Sequence, residues 1–465
     1  MNFSRRRFLA AAAALAAAPR LSHAEETMDG FFEIRAGVQA LHLLQDNGGN
    51  TPGWLFGPGP EPLVIRGKQG EELNLRFIND LDHEIWLHFF GVRGPSELMT
   101  LNVPPGADQA VDCVFTPPDA GTFWIGPVAD QSRARDMGLY AMLVVDEKEP
   151  PAEIAEQTLV IDDWMLADSG AIAEGSGDIE TMVGEGRLGN WFTVNNHFRP
   201  TVKLDKARFT RLRILNAANV RTIGLLFKGY DPLVIARDGQ PVKPAPLEGR
   251  GLTLAPGQRA DVLVSPEEGQ IRVALDLFED VAELFYLTPD ARPDTPPQIA
   301  ENFTLPPNPV STPAPAAEAR SVTLTIEGGL KGGLKSALFQ GQERDLRTLL
   351  ENGKGWAFNG VAGPAAEPLF SARKGETIIL TVENRTAFAQ PIHVHGHVWR
   401  AGDDPDLPWS DTAVVPPGQT AWLTLVADNP GVWAIQSLVA ERADGGLMAA
   451  FKIEGETDAG ETPSP

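Results

Sequence analysis

The chain has 465 residues and carries 39 basic against 62 acidic side chains, a formal net charge of −23. Such acidity argues against nucleic-acid binding, which rewards clustered Lys and Arg. The single cysteine excludes both an intrachain disulfide framework and a multi-thiolate zinc site. At roughly 100–200 residues per domain, the length suggests about three domains.

Residues 1–24 read as an export segment. Arg5, Arg6 and Arg7 precede Phe8, Leu9 and an Ala/Leu run to Ala18, and Ser22-His23-Ala24 supplies small residues for cleavage. The stretch Ser4-Arg5-Arg6-Arg7-Phe8-Leu9 resembles a bacterial twin-arginine signal, which implies a periplasmic location. No run reaches the ~18 apolar residues of a bilayer span, so no membrane span is expected after cleavage.

The remainder reads as β throughout. Period-two segments fall at Leu73–Phe77, Ala141–Val145, Leu212–Leu215, Asp261–Val264, Ile378–Val382 and Ala421–Leu425. An Asn near a strand end recurs as Asn79, Asn216 and Asn384, and a turn recurs as Pro105-Gly106, Pro256-Gly257 and Pro417-Gly418. The marks repeat at about 140–170 residues, as three copies of one sandwich unit would. The expected fold is all-β, with three consecutive Greek-key β-sandwich domains over 25–150, 151–288 and 321–454. The Pro-rich stretch 289–320 reads as a linker, 328–354 as a loop with a short helix, and 455–465 as an acidic tail.

Most of the eight histidines can be set aside. His23 leaves with the leader, and His42, His83 and His197 stand alone in polar surroundings. His88 lies in Trp86-Leu87-His88-Phe89-Phe90-Gly91, and His393 and His395 lie in Pro391-Ile392-His393-Val394-His395-Gly396-His397. Positions i and i+2 of a strand share a face, so His393 and His395 can present imidazoles together, and neutral imidazole suits copper or zinc. His397 follows the pair without having to point the same way. Asp162-Asp163-Trp164 and Asp403-Asp404 are paired carboxylates, read as a structural mark and a solvated loop.

At these residues the chain resembles the multicopper oxidase family, the three-cupredoxin-domain group of laccases and bacterial cuprous oxidases. The resemblance spans nearly the whole mature chain. It rests on Asn79-Asp80-Leu81 and Gly121-Thr122-Phe123-Trp124, on Arg211 to Ala217, Asp238-Gly239-Gln240 and Leu254 to Asp261, and on Asn359-Gly360, Asp411-Thr412 and Asp428 to Trp433. It implies cupredoxin-like domains, a type 1 copper bound by one Cys and two His, and a trinuclear cluster held by four His-x-His pairs.

Against that pattern the chain departs at most ligands. The first pair reads His88 and Phe90, the second Gly126 and Val128, the third His393 and His395, and the fourth Gln436 and Leu438. The type 1 positions read Gln390, Ser437 and Arg442, with Leu447 at the axial place and Met448 beside it. Cys113 lies in a first-domain strand where the family has no ligand, and reads as a buried thiol. Ordinary oxidase activity is therefore not expected. The resemblance extends to copper-free, twin-arginine-exported cell-division relatives, which implies a non-enzymatic scaffold binding a periplasmic protein partner. In the alternative, His88, His393 and His395 hold a single copper ion between the first and third domains, as a copper-binding protein or weak oxidoreductase. By motif position His88 and His393 match type 2 ligands and His395 a type 3 ligand. Inherited packing of these histidines, with no cofactor, is the third reading.

Overall fold

The computed structural model describes residues 22–23, 27, 29–44, 51–266, 269–277, 280–289, 297–300, 302–402, 404 and 406–455. Most of the leader, Asp403 and most of the acidic tail lie outside the described residues. Strands dominate, and they form three two-sheet sandwiches in chain order. In the first, Ser22–His23, Leu63–Lys68, Ala141–Asp146, Gly121–Pro127, Ile85–Phe90 and Thr100–Val103 lie side by side, opposite Thr51–Phe56, Phe32–Leu41, Leu73–Asn79 and Val111–Phe115. Ser22–His23, inside the expected leader, is an edge pair on Leu63 and Val64. The second sandwich sets Trp191–Val194, Ile154–Trp164, Phe209–Asn216, Arg259–Val264, Leu233–Arg237 and Gln240–Pro246 against a five-stranded sheet centred on Ile271–Asp276. In the third, one sheet centres on Thr377–Asn384. The other orders Ser371–Arg373, Met448–Glu454, Gly431–Ser437, Gln390–Val394 and Thr412–Val415. All six period-two segments are strands.

The recurring Asn has a physical reason. Each is buried at a strand end and closes the following turn in the same way. Asn79 Nδ2 donates to His83 O, Asn216 Nδ2 to Arg221 O and Asn384 Nδ2 to Phe388 O, while each Oδ1 accepts from the backbone N–H two residues on. A buried turn must satisfy its backbone groups, and this amide does so three times.

Two regions differ from expectation. Around residues 308–309 the linker is a strap rather than a free spacer: Asn308 Nδ2 donates to Ala120 O, Gly239 O and Gln240 Oε1, its Oδ1 accepts from Ala120 N–H, and Arg93 donates to Pro309 O. Composition marks Pro-rich extended chain but not where it is pinned. The loop within 328–354 contains a hairpin, Ser336–Phe339 with Gln342–Asp345, before the helix Leu346–Glu351. Its turn, Gln340-Gly341, has both φ angles positive (51° and 75°), and lacks the usual Asn-Gly signal.

The domains are closely joined. Asp444 of the third domain caps the first-domain helix Gln131–Asp136, accepting from Gln131 N–H, Ser132 N–H and Ser132 Oγ–H at 3.1, 2.7 and 2.6 Å. The helix's own N-cap residue, Asp130, makes no side-chain cap. Asp444→Ala should therefore lower stability by about 1–2 kcal/mol, read as a fall in melting temperature. An unchanged transition would show that the borrowed cap contributes nothing.

Candidate metal centre

His88 and Phe90 share one face of Ile85–Phe90, at the first domain's edge against the third. His393 lies in Gln390–Val394, and His395 follows that strand and donates its backbone N–H to Ala434 O. The three histidines are fully or almost fully buried. One ring nitrogen from each lies within 4.8 Å of the others, and no other such group of His, Cys, Asp or Glu occurs among the described residues. Three imidazoles on one ion at about 2.0–2.1 Å have nitrogens up to about 4 Å apart, so less than 1 Å of closure is required. The rings of His88 and His395 stack at 3.7 Å, tilted by 25°.

Two of the three rings are oriented from behind. His88 Nδ1 is 2.9 Å from Thr100 Oγ1, and His393 Nδ1 is 3.2 Å from Thr412 Oγ1 and 3.3 Å from Asp411 Oδ1. The Nε2 atoms of His88, His393 and His395 are buried without a hydrogen-bond partner. Unpaired buried polar atoms are costly, and three at one place are what a ligand set looks like. Burial first, then the adjacent imidazoles, pushes His88 and His395 well below 6.5. Lone-pair donors are thus available at neutral pH. The donor set fits copper or zinc.

His397 is also buried, but it turns elsewhere. Its Nδ1 is 3.0 Å from His395 O, and the ring packs on Trp433 and Phe451. His83 bonds Asp82 and His197 bonds Glu61 near the surface. Cys113 Sγ lies 3.5 Å from Leu98 O, and burial pushes the thiol up to about 12. Asp162 accepts from Tyr140 Oη at 2.6 Å and Asp163 from Arg221 Nε at 2.6 Å, as structural carboxylates.

The positions around the imidazoles are filled. Phe90 stacks on Trp124 at 3.9 Å and 7°, and the Trp124 ring covers Gly126 so closely that a Cβ there would meet it at 2.2 Å. Gln436, register partner of His393, accepts at Oε1 from Gln131 Nε2 at 3.3 Å. Farther along, Arg442 donates to Gln390 Oε1 at 3.1 Å and Ala389 O at 2.8 Å, with its guanidinium against the rings of Trp356 and Phe388. Ser437 Oγ accepts from Val439 N–H.

Sequence reasoning missed the supporting residues. Asp411-Thr412 is legible only as a fold mark, yet Asp411 is wholly buried and accepts from Arg259 at 2.6 Å. Burial alone would raise that carboxyl. The charge of Arg259, with hydrogen bonds from His393 and Arg259, overcomes it and holds the group well below the usual carboxylate range.

Three multicopper oxidase family profiles match residues 50–150, 156–272 and 339–456. Together with three cupredoxin-like sandwiches they place the chain in the multicopper oxidase family, an oxidoreductase family that binds copper. Among individual proteins, it is 26% identical to multicopper oxidase MmcO of Mycobacterium tuberculosis, over 93% of each chain. It is also 26% identical to cell division protein FtsP of Sodalis glossinidius, over 58% of this chain and 61% of that one. The crystal structure of a multi-copper oxidase from Pseudomonas thermotolerans superposes with a TM-score of 0.77 at 27% identity, covering 94% of this chain and 100% of that one. No helix among the described residues is long and apolar enough to cross a membrane.

Burial of neutral imidazoles has a pH signature. Below about 6.5 the unfolded histidines take up protons while His88, His395 and His397 (the last pushed down to about 4 by burial) remain neutral. The unfolded state then binds more protons, so stability falls as pH falls, by up to about 1.4 kcal/mol per pH unit per histidine. Denaturant unfolding of metal-free protein at pH 7, 6 and 5 should show this slope, and His397→Gln should flatten it. An identical slope in that variant would contradict the assignment.

Proposed function

We propose that this chain is an exported multicopper oxidase homologue that does not catalyse the family's dioxygen-reducing reaction and acts as a periplasmic scaffold for a protein partner. The observation that carries this is Arg442. By motif position Gln390, Ser437 and Arg442 stand for the type 1 ligands, and Arg442 donates to Gln390 in a buried pair. Burial lowers the guanidinium to about 10, which leaves it protonated at neutral pH. Two unit charges about 4 Å apart repel by about 4 kcal/mol at an effective dielectric of 20, and a dication doubles that. Neither a hydroxyl nor an amide supplies the thiolate covalency of an electron-accepting copper. The Phe90–Trp124 stack over Gly126 supports the same reading for the cluster, since two of its ligand positions hold an apolar ring and no side chain at all. Similarity to proteins named for cell division supports a partner-binding role. That partner and the periplasmic address rest on resemblance.

A second reading is favoured by the three orphaned Nε2 atoms. His88, His393 and His395 would hold one copper ion at the junction of the first and third domains. Bound there, copper would supply a one-electron redox centre. The chain's own residues orient the rings of His88 and His393, keep His88 and His395 neutral and exclude bulk water.

Metal analysis and turnover test both. Copper-loaded protein should contain at most one copper per chain, lost in His88→Ala and His393→Ala, and should show neither phenol oxidation nor a blue band near 600 nm. Copper content near zero, unaltered by the substitutions, would remove the second reading. Phenol turnover with oxygen consumption would overturn the first.

A further inference from the structure

We propose that Asp411, held by Arg259 of the second domain, is a positioning residue that fixes His393 as its Nδ1–H tautomer and leaves the Nε2 lone pair free beside His88 and His395. The second domain would thereby govern a site to which it contributes no imidazole. The functional weight of this rests on the copper reading above, but the tautomer itself is a property of the metal-free protein.

The assignment follows from the hydrogens available. Asp411 accepts from Arg259 Nη2 at 2.6 Å and Nη1 at 3.1 Å, and from Thr412 Oγ1 at 2.8 Å. A carboxylate in such a bidentate pair is an acceptor only. Thr412 has one hydroxyl hydrogen, and Asp411 takes it. Toward His393 the threonine oxygen can therefore only accept. His393 Nδ1 faces that oxygen at 3.2 Å and Asp411 Oδ1 at 3.3 Å. Two acceptors require a donor, so the hydrogen sits on Nδ1. The opposite tautomer would set a lone pair against lone pairs in a buried place and strand an N–H at Nε2, where no partner exists. A carboxylate behind a ligating imidazole fixes its tautomer and ring orientation in this way.

Arg259 is itself fixed by all three domains. Its Nε donates to Thr122 O of the first domain at 3.1 Å, its backbone N–H to Asp238 Oδ1 at 3.0 Å, and its guanidinium to Asp411 of the third. Gly91, three residues after His88 and with φ +86°, lies against the ion pair: a Cβ there would be 2.4 Å from Arg259 Nη2 and 2.6 Å from Asp411 Oδ2. Backbone from the first domain thus seals the vertex, and neither partner can swing away without parting the domains.

The test is a two-bond ¹H–¹⁵N correlation spectrum of metal-free protein, with His393→Gln to assign the signal and Cu(II) titration alongside. Wild-type His393 should be Nδ1–H, and Thr412→Val should keep that tautomer because Asp411 still accepts. In Asp411→Asn the amide can donate to Nδ1, so the Nε2–H form should rise and Cu(II) affinity should fall about 10–100-fold. Arg259→Lys, which keeps the charge but not the bidentate fork, should move the tautomer in the same direction. It carries the test if Asp411→Asn does not fold. Wild-type His393 as Nε2–H, or an unchanged tautomer in both folded variants, would overturn the proposal. A shifted tautomer with no Cu(II) binding in the wild type would sustain the positioning role while removing the copper reading.

Discussion

The arrangement of this molecule depends on one buried ion pair, Arg259 with Asp411, at the point where three sandwiches meet. Both residues are fully buried. Removing two charges from water costs several kcal/mol each, and only good geometry with further hydrogen bonds offsets it. Here the pair is bidentate and further bonded: the guanidinium also donates to Thr122 O and Gly257 O, the Arg259 backbone N–H to Asp238, and Thr412 and His393 lie on the aspartate side. A second ionic group adjoins it, in which Arg211 and Arg213 share Asp261 with Thr122, and Arg211 also reaches Glu147. Such networks contribute little net stability but strongly penalise any other packing. Losing one partner typically costs about 3–5 kcal/mol. The interface of the first and third domains is therefore held in register by a residue of the second.

On the proposed reading, the positions that differ from the family pattern form a self-consistent set rather than scattered losses. Gly126 leaves room that the Trp124 indole fills, and Phe90 completes the stack. Gln436 pairs with Gln131, while Arg442 bonds Gln390 and lies against Trp356 and Phe388. Each departure has a neighbour that fills or bonds it, while Gln436 Nε2, Arg442 Nε and the Trp124 indole N–H remain without a partner. The three histidines differ in that their unpaired atoms converge on one place. Their Nδ1 sides are tied or packed, while their Nε2 atoms have nothing. On the copper reading, it is this convergence that favours a retained site over inherited packing.

Much of the fold was legible in the sequence because its signals are local. Period-two strands, Pro-Gly turns and the repeated Asn each report chemistry within a few residues, and repetition gave the domain count. His393 and His395 could be singled out because i, i+2 spacing and the family motifs both pointed to them, and His88 by the motif alone. What could not be read depends on contacts distant in sequence. Asp444 caps a helix some three hundred residues earlier, with |i−j| of 313 to Gln131. Asn308 pins the strap to two domains, and Asp411 orients His393 only once Arg259 arrives from elsewhere. The hairpin at 336–345 was missed for a smaller reason, a Gln-Gly turn whose first residue seldom takes positive φ.

On the two proposed readings together, the thiolate site is lost and at most one imidazole site remains. Anomalous diffraction at the copper edge from crystals of copper-loaded protein addresses it directly. The account predicts a single peak within about 2.0–2.1 Å of ring nitrogens of His88, His393 and His395, and none beside Ser437 and Arg442. A peak at Ser437, or a group of three peaks between the first and third domains, would contradict it.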